Sequence, residues 1–326
     1  MKDFLSKKFI DQLNTWGEQR TPFFFIIDFE GEKPQAWELN QLPSFIHFHF
    51  PHLSSKKEEI NNLPSPIILK KHPETFSTFL PKFNHVKKHL DYGDSFLTNL
   101  SIQTPIEINT TLSALYPSVK APYKLVWEDE FLVFSPESFV QIENSVIKTF
   151  PMKGTIDANI ENAALKILSD KKELAEHVTI VDLLRNDLSQ VAKDVTVNQF
   201  RYIEKIKSID KELLQVSSEI SGEILPAFQN QFGSILNVLL PAGSVSGAPK
   251  NKTCEVIQQA EQVKRNYYTG VAGYFDGTTL DSCVLIRFIE KVKNQYFYRS
   301  GAGITTQSKS EAEFKELIDK IYVPVV

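Results

Sequence analysis

Two hydrophobic periods take turns along the chain. Residues 23–29, Phe-Phe-Phe-Ile-Ile-Asp-Phe, are a short apolar run that predicts a buried strand. Residues 123–127, 131–135, 138–142 and 146–150 are rich in aromatic and β-branched side chains and are split by tight polar breaks, which predicts strands joined by turns. The period then changes. Between residue 170 and about 191, Leu174, Val178, Val181, Leu184 and Leu188 recur at spacings of three and four, the stripe of an amphipathic helix. A second β stretch covers 270–275, 280–289 and 296–299, and further helices are predicted near 83–90 and over 310–321. Strands in blocks with helices between them predict an α+β fold, not a regular βαβ repeat. The polar, Pro-terminated stretch 54–66 reads as a surface loop. No repeat or linker divides the chain, so one compact unit over 1–326 is expected.

Composition narrows the function classes. The 326 residues are 42% hydrophobic and 23% charged, the profile of a globular chain able to bury a large core without disulfides. A net charge of −4 supplies no basic footprint for nucleic acid. No apolar run reaches the roughly 18 residues of a membrane span, and the first residues lack the apolar stretch of a signal peptide. The two cysteines, Cys254 and Cys283, form no spacing motif and read as small apolar residues. A reducing, cytoplasmic setting is the expectation.

Several residues could carry chemistry. Glu173 and Glu176 on one predicted helix, and Glu313 and Glu316 on another, each lie three apart and share a helix face. Brought together they would offer hard oxygens suited to Mg²⁺. The same spacing fits capping boxes, Asp170-x-x-Glu173 and Ser310-x-x-Glu313, so spacing alone leaves both open. Arg287 sits in the apolar run Cys283-Val284-Leu285-Ile286-Arg287-Phe288-Ile289, which predicts a buried guanidinium needing an anion, from the chain or from a ligand. Lys153 follows a strand in Pro151-Met152-Lys153-Gly154-Thr155, where it is either a surface residue of a turn or a nucleophile. Residues 241–250, Pro-Ala-Gly-Ser-Val-Ser-Gly-Ala-Pro-Lys, precede a predicted helix and can aim backbone N–H groups at an anion, but lack Walker A spacing. His47, His49 and His52, like His85 and His89, lack the companions of a zinc site.

Taken in order, these segments resemble the chorismate-utilising enzymes. Ser135-Pro136-Glu137-Ser138-Phe139 is similar to S-P-E-x-F, and 151–155 to P-I-K-G-T. Residues 176–188 resemble E-H-x-x-x-V-D-L-x-R-N-D-L, and 241–250 resemble P-x-G-[ST]-[IV]-[ST]-G-A-P-K. Gly270–Tyr274, Ile286-Arg287, Gly301–Ile304 and 313–320 complete the series. The clear resemblance covers about residues 90 to 326, with 1–90 matched more weakly. Lys153 points to the aminodeoxychorismate synthase (component I) branch, since the anthranilate branch usually carries Ala there.

The resemblance implies two large antiparallel sheets packed face to face with helices outside. It implies Mg²⁺ held by Glu176 and Glu316, with Glu173 and Glu313 as a second pair. Arg287 and Tyr274 would bind the enolpyruvyl carboxylate. Lys320, Ser244, Gly301, Ala302 and Gly303 would contact substrate, as would Gln215, where most relatives carry His. Lys153 would be the nucleophile and Glu137 the general acid in amination of chorismate at C4, a step toward para-aminobenzoate and folate. Ammonia would come from a separate glutamine amidotransferase subunit (component II), because no glutaminase region is recognisable in the chain. Anthranilate synthesis, or a silent binding homologue, is the alternative. Met152 in place of the commoner Ile reads as a mild change.

Overall fold

The computed structural model describes residues 3–55, 64, 66–207 and 212–324. Their contacts divide the chain into two compact units. The first comprises residues 1–41, 137–244 and 270–284, and the second 42–136, 245–269 and 285–326. Each unit is built on one antiparallel sheet, so the architecture is α+β. Among the described residues no helix is long and apolar enough to cross a membrane.

In the first unit the sheet runs Met152–Asp157, Glu212–Ile224, Val146–Thr149, Ser138–Glu143, Leu280–Val284, Val271–Phe275, Phe23–Ile27, Gln35–Glu38. Phe23–Ile27 is buried at every position, as its unbroken apolar run requires. Phe23 packs its ring against Trp16, Phe232 and Phe275 at centroid distances of 5.6, 6.0 and 5.6 Å. Trp16 lies on the helix Lys7–Glu18, capped by Ser6, and Phe232 on the helix Phe232–Leu239; neither helix was expected from periodicity. The two helices approach so closely that a Cβ on Gly233 would lie 2.2 Å from the carbonyl oxygen of Ile10. Ala192–Lys207 pairs with Glu212–Ile224 but shifts register three times, with left-handed Asp194 and Arg201. These bulges break the alternation that would have revealed the strand.

In the second unit the order is Gly247–Ala248, Leu97–Ile108, Gln295–Ile304, Phe288–Val292, Phe131–Ser135, Tyr123–Trp127, Ile46–His49, with Leu69–Lys71 also paired to Leu97–Ile108. Leu97–Ile108 is a long strand that its internal Pro105 had disguised. The helices Phe76–Tyr92, Lys250–Glu261 and Ser310–Asp319 share an apolar core with it that includes Phe79, Phe83, Leu100, Val256, Ile304 and Leu317. The first of them begins seven residues before the expected helix at 83, running through Pro81, and stops at left-handed Gly93. Of the expected loop 54–66, residues 56–63 and 65 lie outside the described residues.

The strand expected at 280–289 is a correction. Leu280–Val284 belongs to the first sheet and Phe288–Val292 to the second. The chain crosses at residues 285–287, where Arg287 adopts a left-handed φ of 54°. An apolar run carries no mark of where it changes sheets, because both strands are buried.

Candidate active site

In the first unit, Lys153 lies inside the strand Met152–Asp157 rather than in a turn after a strand. Met152 pairs with Ser217 and Thr155 with Gln215, so Lys153 and Gly154 sit at an irregularity in the ladder. Gly154 has φ +86°, and a Cβ there would lie 3.0 Å from Glu173 Oε2. Only glycine meets both demands, and its absent side chain lets the Glu173 carboxylate close on the backbone next to Lys153. Lys153 is half-buried.

Glu173 and Glu176 belong to the helix Lys171–Ser189 and are half-buried. Asp170 caps this helix, its Oδ1 accepting from the Glu173 N–H at 3.0 Å, so one capping box supplies the cap expected of it. The buried face corrects the expected stripe. Val181, Leu184 and Leu188 are buried, but Leu174 and Val178 are 37% and 47% exposed, and His177 and Ile180 turn inward instead. His177 Nε2 lies 2.7 Å from Ser218 Oγ. Burial, helped by the charges of Arg201 and Lys153, pulls its pKa from 6.5 to about 4, so the ring is neutral at pH 7. A histidine in an apolar slot carries no hydrophobic period, so spacing does not mark it.

Gln215 is buried, and its Nε2 donates to Met152 Sδ at 2.6 Å. Gln215 and Met152, the two departures noted in the resemblance, therefore touch. Ser244 Oγ donates to Glu137 Oε1. Both line a small pocket with Phe139, Pro151, Leu184 and Asp187. Asp187, absent from the expected set, is buried and approaches the backbone so closely that a Cβ on Gly243 would lie 2.9 Å from its Oδ2. Tyr274 is buried opposite Asp281 in the adjacent strand; burial and the carboxylates of Asp281 and Asp276 push its phenol pKa up.

In the second unit, Arg287 is half-buried at the crossover. It lies outside the strand expected for it, and among the described residues no Asp or Glu pairs with it. Its Nη1 donates to the Lys320 carbonyl at 3.4 Å, and the guanidinium lies 5.2 Å from the Tyr322 ring centroid. Lys320 Nζ donates to the Gly301 carbonyl at 2.8 Å and pairs with Glu316 at 2.6 Å. Glu316 and Lys320, one helical turn apart, thus meet on one face. Ala302 is a correction in detail: its side chain packs into the apolar core, so only its backbone is available beside Gly301 and Gly303. Glu313 is 1% exposed. The second capping box does not form, for Lys309 occupies the cap without a side-chain bond and Ser310 Oγ turns to Glu311 Oε2 at 3.1 Å.

The carboxylates of Glu173, Glu176, Glu313 and Glu316 are hard oxygen donors, the chemistry Mg²⁺ accepts. A carboxylate buried as deeply as Glu313 also requires compensation by a cation or by donors. Among the described residues, no three His, Cys, Asp or Glu side chains gather in the manner of a metal site. His89 pairs with Asp94 at 2.6 Å, and His49 with Ser54 at 2.8 Å. Cys283 is buried, which pushes its thiol pKa up, whereas Cys254 is only partly covered.

The family model for chorismate binding enzymes matches residues 21–325, through both units. The chain belongs to this family. It is 48% identical to an uncharacterized PabA-like protein of Haemophilus influenzae over 97% of this chain and 96% of that one. It is 31% identical to aminodeoxychorismate synthase component 1 of Bacillus subtilis, over 81% of this chain and 60% of that one. It is 36% identical to anthranilate synthase component 1 of Acetivibrio thermocellus, over 72% and 49%. The fold matches that of the menaquinone-specific isochorismate synthase of Escherichia coli with a TM-score of 0.72 at 17% identity, covering 98% of this chain and 82% of that chain. The family match also reaches back into the first 90 residues, where sequence motifs were weakest.

Proposed function

We propose that this enzyme aminates chorismate at C4 to form 4-amino-4-deoxychorismate, with ammonia delivered by a glutamine amidotransferase subunit. The observation that carries the reading is Lys153, half-buried at a strand irregularity whose glycine brings the Glu173 carboxylate alongside. A surface lysine in an ordinary turn would need no such arrangement.

The roles follow from the chemistry of each group. Arg287 offers in-plane N–H donors to the enolpyruvyl carboxylate, and Tyr274 a neutral phenol. Glu173, Glu176, Glu313 and Glu316 are the residues that would hold Mg²⁺, which when bound supplies Lewis acidity toward a carboxylate. Lys153 as the free amine forms a bond from Nζ to ring C2, and the two conjugated ring double bonds shift toward C4. Glu137 gives its proton to the C4 oxygen as the C4–O bond breaks, releasing water. Ammonia then bonds to C4, the two double bonds shift back, and the C2–Nζ bond breaks to restore Lys153. The excess proton on the new amine returns to Glu137. Ser244 donates to Glu137 Oε1 and so helps to orient this carboxyl group. Gln215 can hydrogen-bond to substrate but cannot take up a proton near pH 7.

The test is the product formed from chorismate, Mg²⁺ and an ammonium salt at alkaline pH, where free ammonia is abundant. Wild type is expected to yield an amine at C4 with the enolpyruvyl group retained. Lys153→Ala is expected to lose most of that activity, on the order of a hundredfold or more. Without ammonia, intact-protein mass spectrometry should show a chorismate-derived adduct on Lys153. Anthranilate as the main wild-type product, or undiminished C4 amination by Lys153→Ala, overturns the reading in favour of the anthranilate reaction or of another nucleophile.

A further inference from the structure

Arg287 presents an unusual balance of partners. Among the described residues no carboxylate pairs with it; its side chain donates to the Lys320 carbonyl at 3.4 Å and lies over the face of Tyr322. A guanidinium left without an anion next to a core strand is costly unless something stabilises its charge. The Tyr322 ring does so through its negative face, 5.2 Å from the guanidinium carbon. This form of stabilisation has a chemical consequence. An Asp or Glu partner would occupy the in-plane N–H donors, the same donors that grip a carboxylate in bidentate fashion. A ring face offers no carboxylate oxygens, so the in-plane donors other than the one on the Lys320 carbonyl stay available.

The placement of Tyr322 is built into the fold. Ile321, the preceding residue, is 3% exposed in the apolar core, and Val323, the next, packs against the same core. The Pro324 carbonyl then accepts from the Lys120 N–H at 2.8 Å. Between these anchors the Tyr322 side chain is 45% exposed. A half-exposed aromatic on a pinned backbone, next to an arginine without a carboxylate, is poorly explained by core packing.

We propose that Tyr322 is a positioning residue for carboxylate recognition: its ring stabilises the charge of the Arg287 guanidinium while leaving the in-plane donors not bonded to the Lys320 carbonyl for an anionic substrate. The inference rests on the reading of Arg287 as a carboxylate binder. Its test is calorimetric titration of chorismate, with Mg²⁺ present, into wild type, Tyr322→Phe, Tyr322→Leu and Tyr322→Gln. Failure of wild type to bind chorismate overturns the functional reading and this inference with it. Given binding by wild type, Tyr322→Phe is expected to stay within about twofold, while Tyr322→Leu and Tyr322→Gln weaken by about three- to tenfold. Thermal melts without ligand establish that each variant is folded, and the polar Tyr322→Gln suits the half-exposed site if leucine perturbs folding there. Wild-type affinity in the leucine and glutamine variants overturns the proposal. So does a loss in Tyr322→Phe equal to theirs, which would assign the effect to the hydroxyl instead.

Discussion

Asp129 shows how a single side chain can tie together segments far apart in sequence. Its carboxylate accepts from the Leu112 N–H at 2.9 Å, from Tyr296 Oη at 2.8 Å and from Lys291 Nζ at 2.6 Å. Burial raises its pKa, but the bonds from Lys291, Leu112 and Tyr296 outweigh this and leave it below the ordinary 3.8. Asp129→Asn keeps the shape and loses the charge, and is expected to cost about 1–3 kcal/mol at pH 7 in urea unfolding. The sign with pH follows. A carboxylate with a lowered folded pKa stabilises above its unfolded pKa and loses that contribution as pH falls through the folded one. The gap between wild type and variant should therefore narrow below about pH 4. A gap unchanged down to pH 2.5 would show that the aspartate charge contributes nothing. At this scale the expected site residues were named from motifs, but their partners were not. Met152 against Gln215, Tyr322 against Arg287 and Ser218 against His177 are separated by 35 residues or more, or lie across a turn, and no local period links them.

The helix Lys250–Glu261 ends in a buried ion pair that joins it to its surroundings. Arg265 Nε and Nη2 donate to the two Glu261 oxygens at 2.9 and 2.6 Å, with side chains 1% and 4% exposed. The same guanidinium reaches the carbonyls of Val245 and Asn99 at 2.8 and 2.7 Å, and Glu261 Oε1 accepts from the Ser101 N–H at 2.7 Å. The glycine-rich segment, the strand Leu97–Ile108 and the helix end are thereby bound to one charge pair. Glu261→Gln strands a buried guanidinium, and the expected loss in urea unfolding is about 3–5 kcal/mol. Replacing both residues, Glu261→Leu with Arg265→Met, should cost less than the single change, because no charge is then left buried. A double variant less stable than the single one would contradict this account. Elements with strong periods or apolar runs, such as Phe23–Ile27 and Lys171–Ser189, were legible. Leu97–Ile108 and Ala192–Lys207 were not, since Pro105 in one and repeated register shifts in the other erase the alternation.

Across the whole molecule, each unit is assembled from three separated stretches of chain. Ending the chain at residue 284 keeps every strand of the first sheet but removes Phe288–Val292 and Gln295–Ile304 from the middle of the second. Limited proteolysis of that truncation is expected to cut rapidly within 42–136 and 245–269 while sparing 137–244. Equal protection of all three regions would mean that the second sheet forms without its central strands. Sequence alone determined the α+β class, the positions of the strongly patterned strands and helices, and the family to which the motifs belong. Those properties are local: they rest on side-chain period and on residues a few positions apart. It did not determine where the run 280–289 changes sheets, which side of the helix Lys171–Ser189 is buried, or that Arg287 rests on a tyrosine ring. An apolar run is equally content in either sheet, a neutral histidine can take a leucine's place in the core, and a cation without a carboxylate finds its partner in space. Only the tertiary structure decides among such choices, because their free energies come from neighbours that the chain brings together after folding.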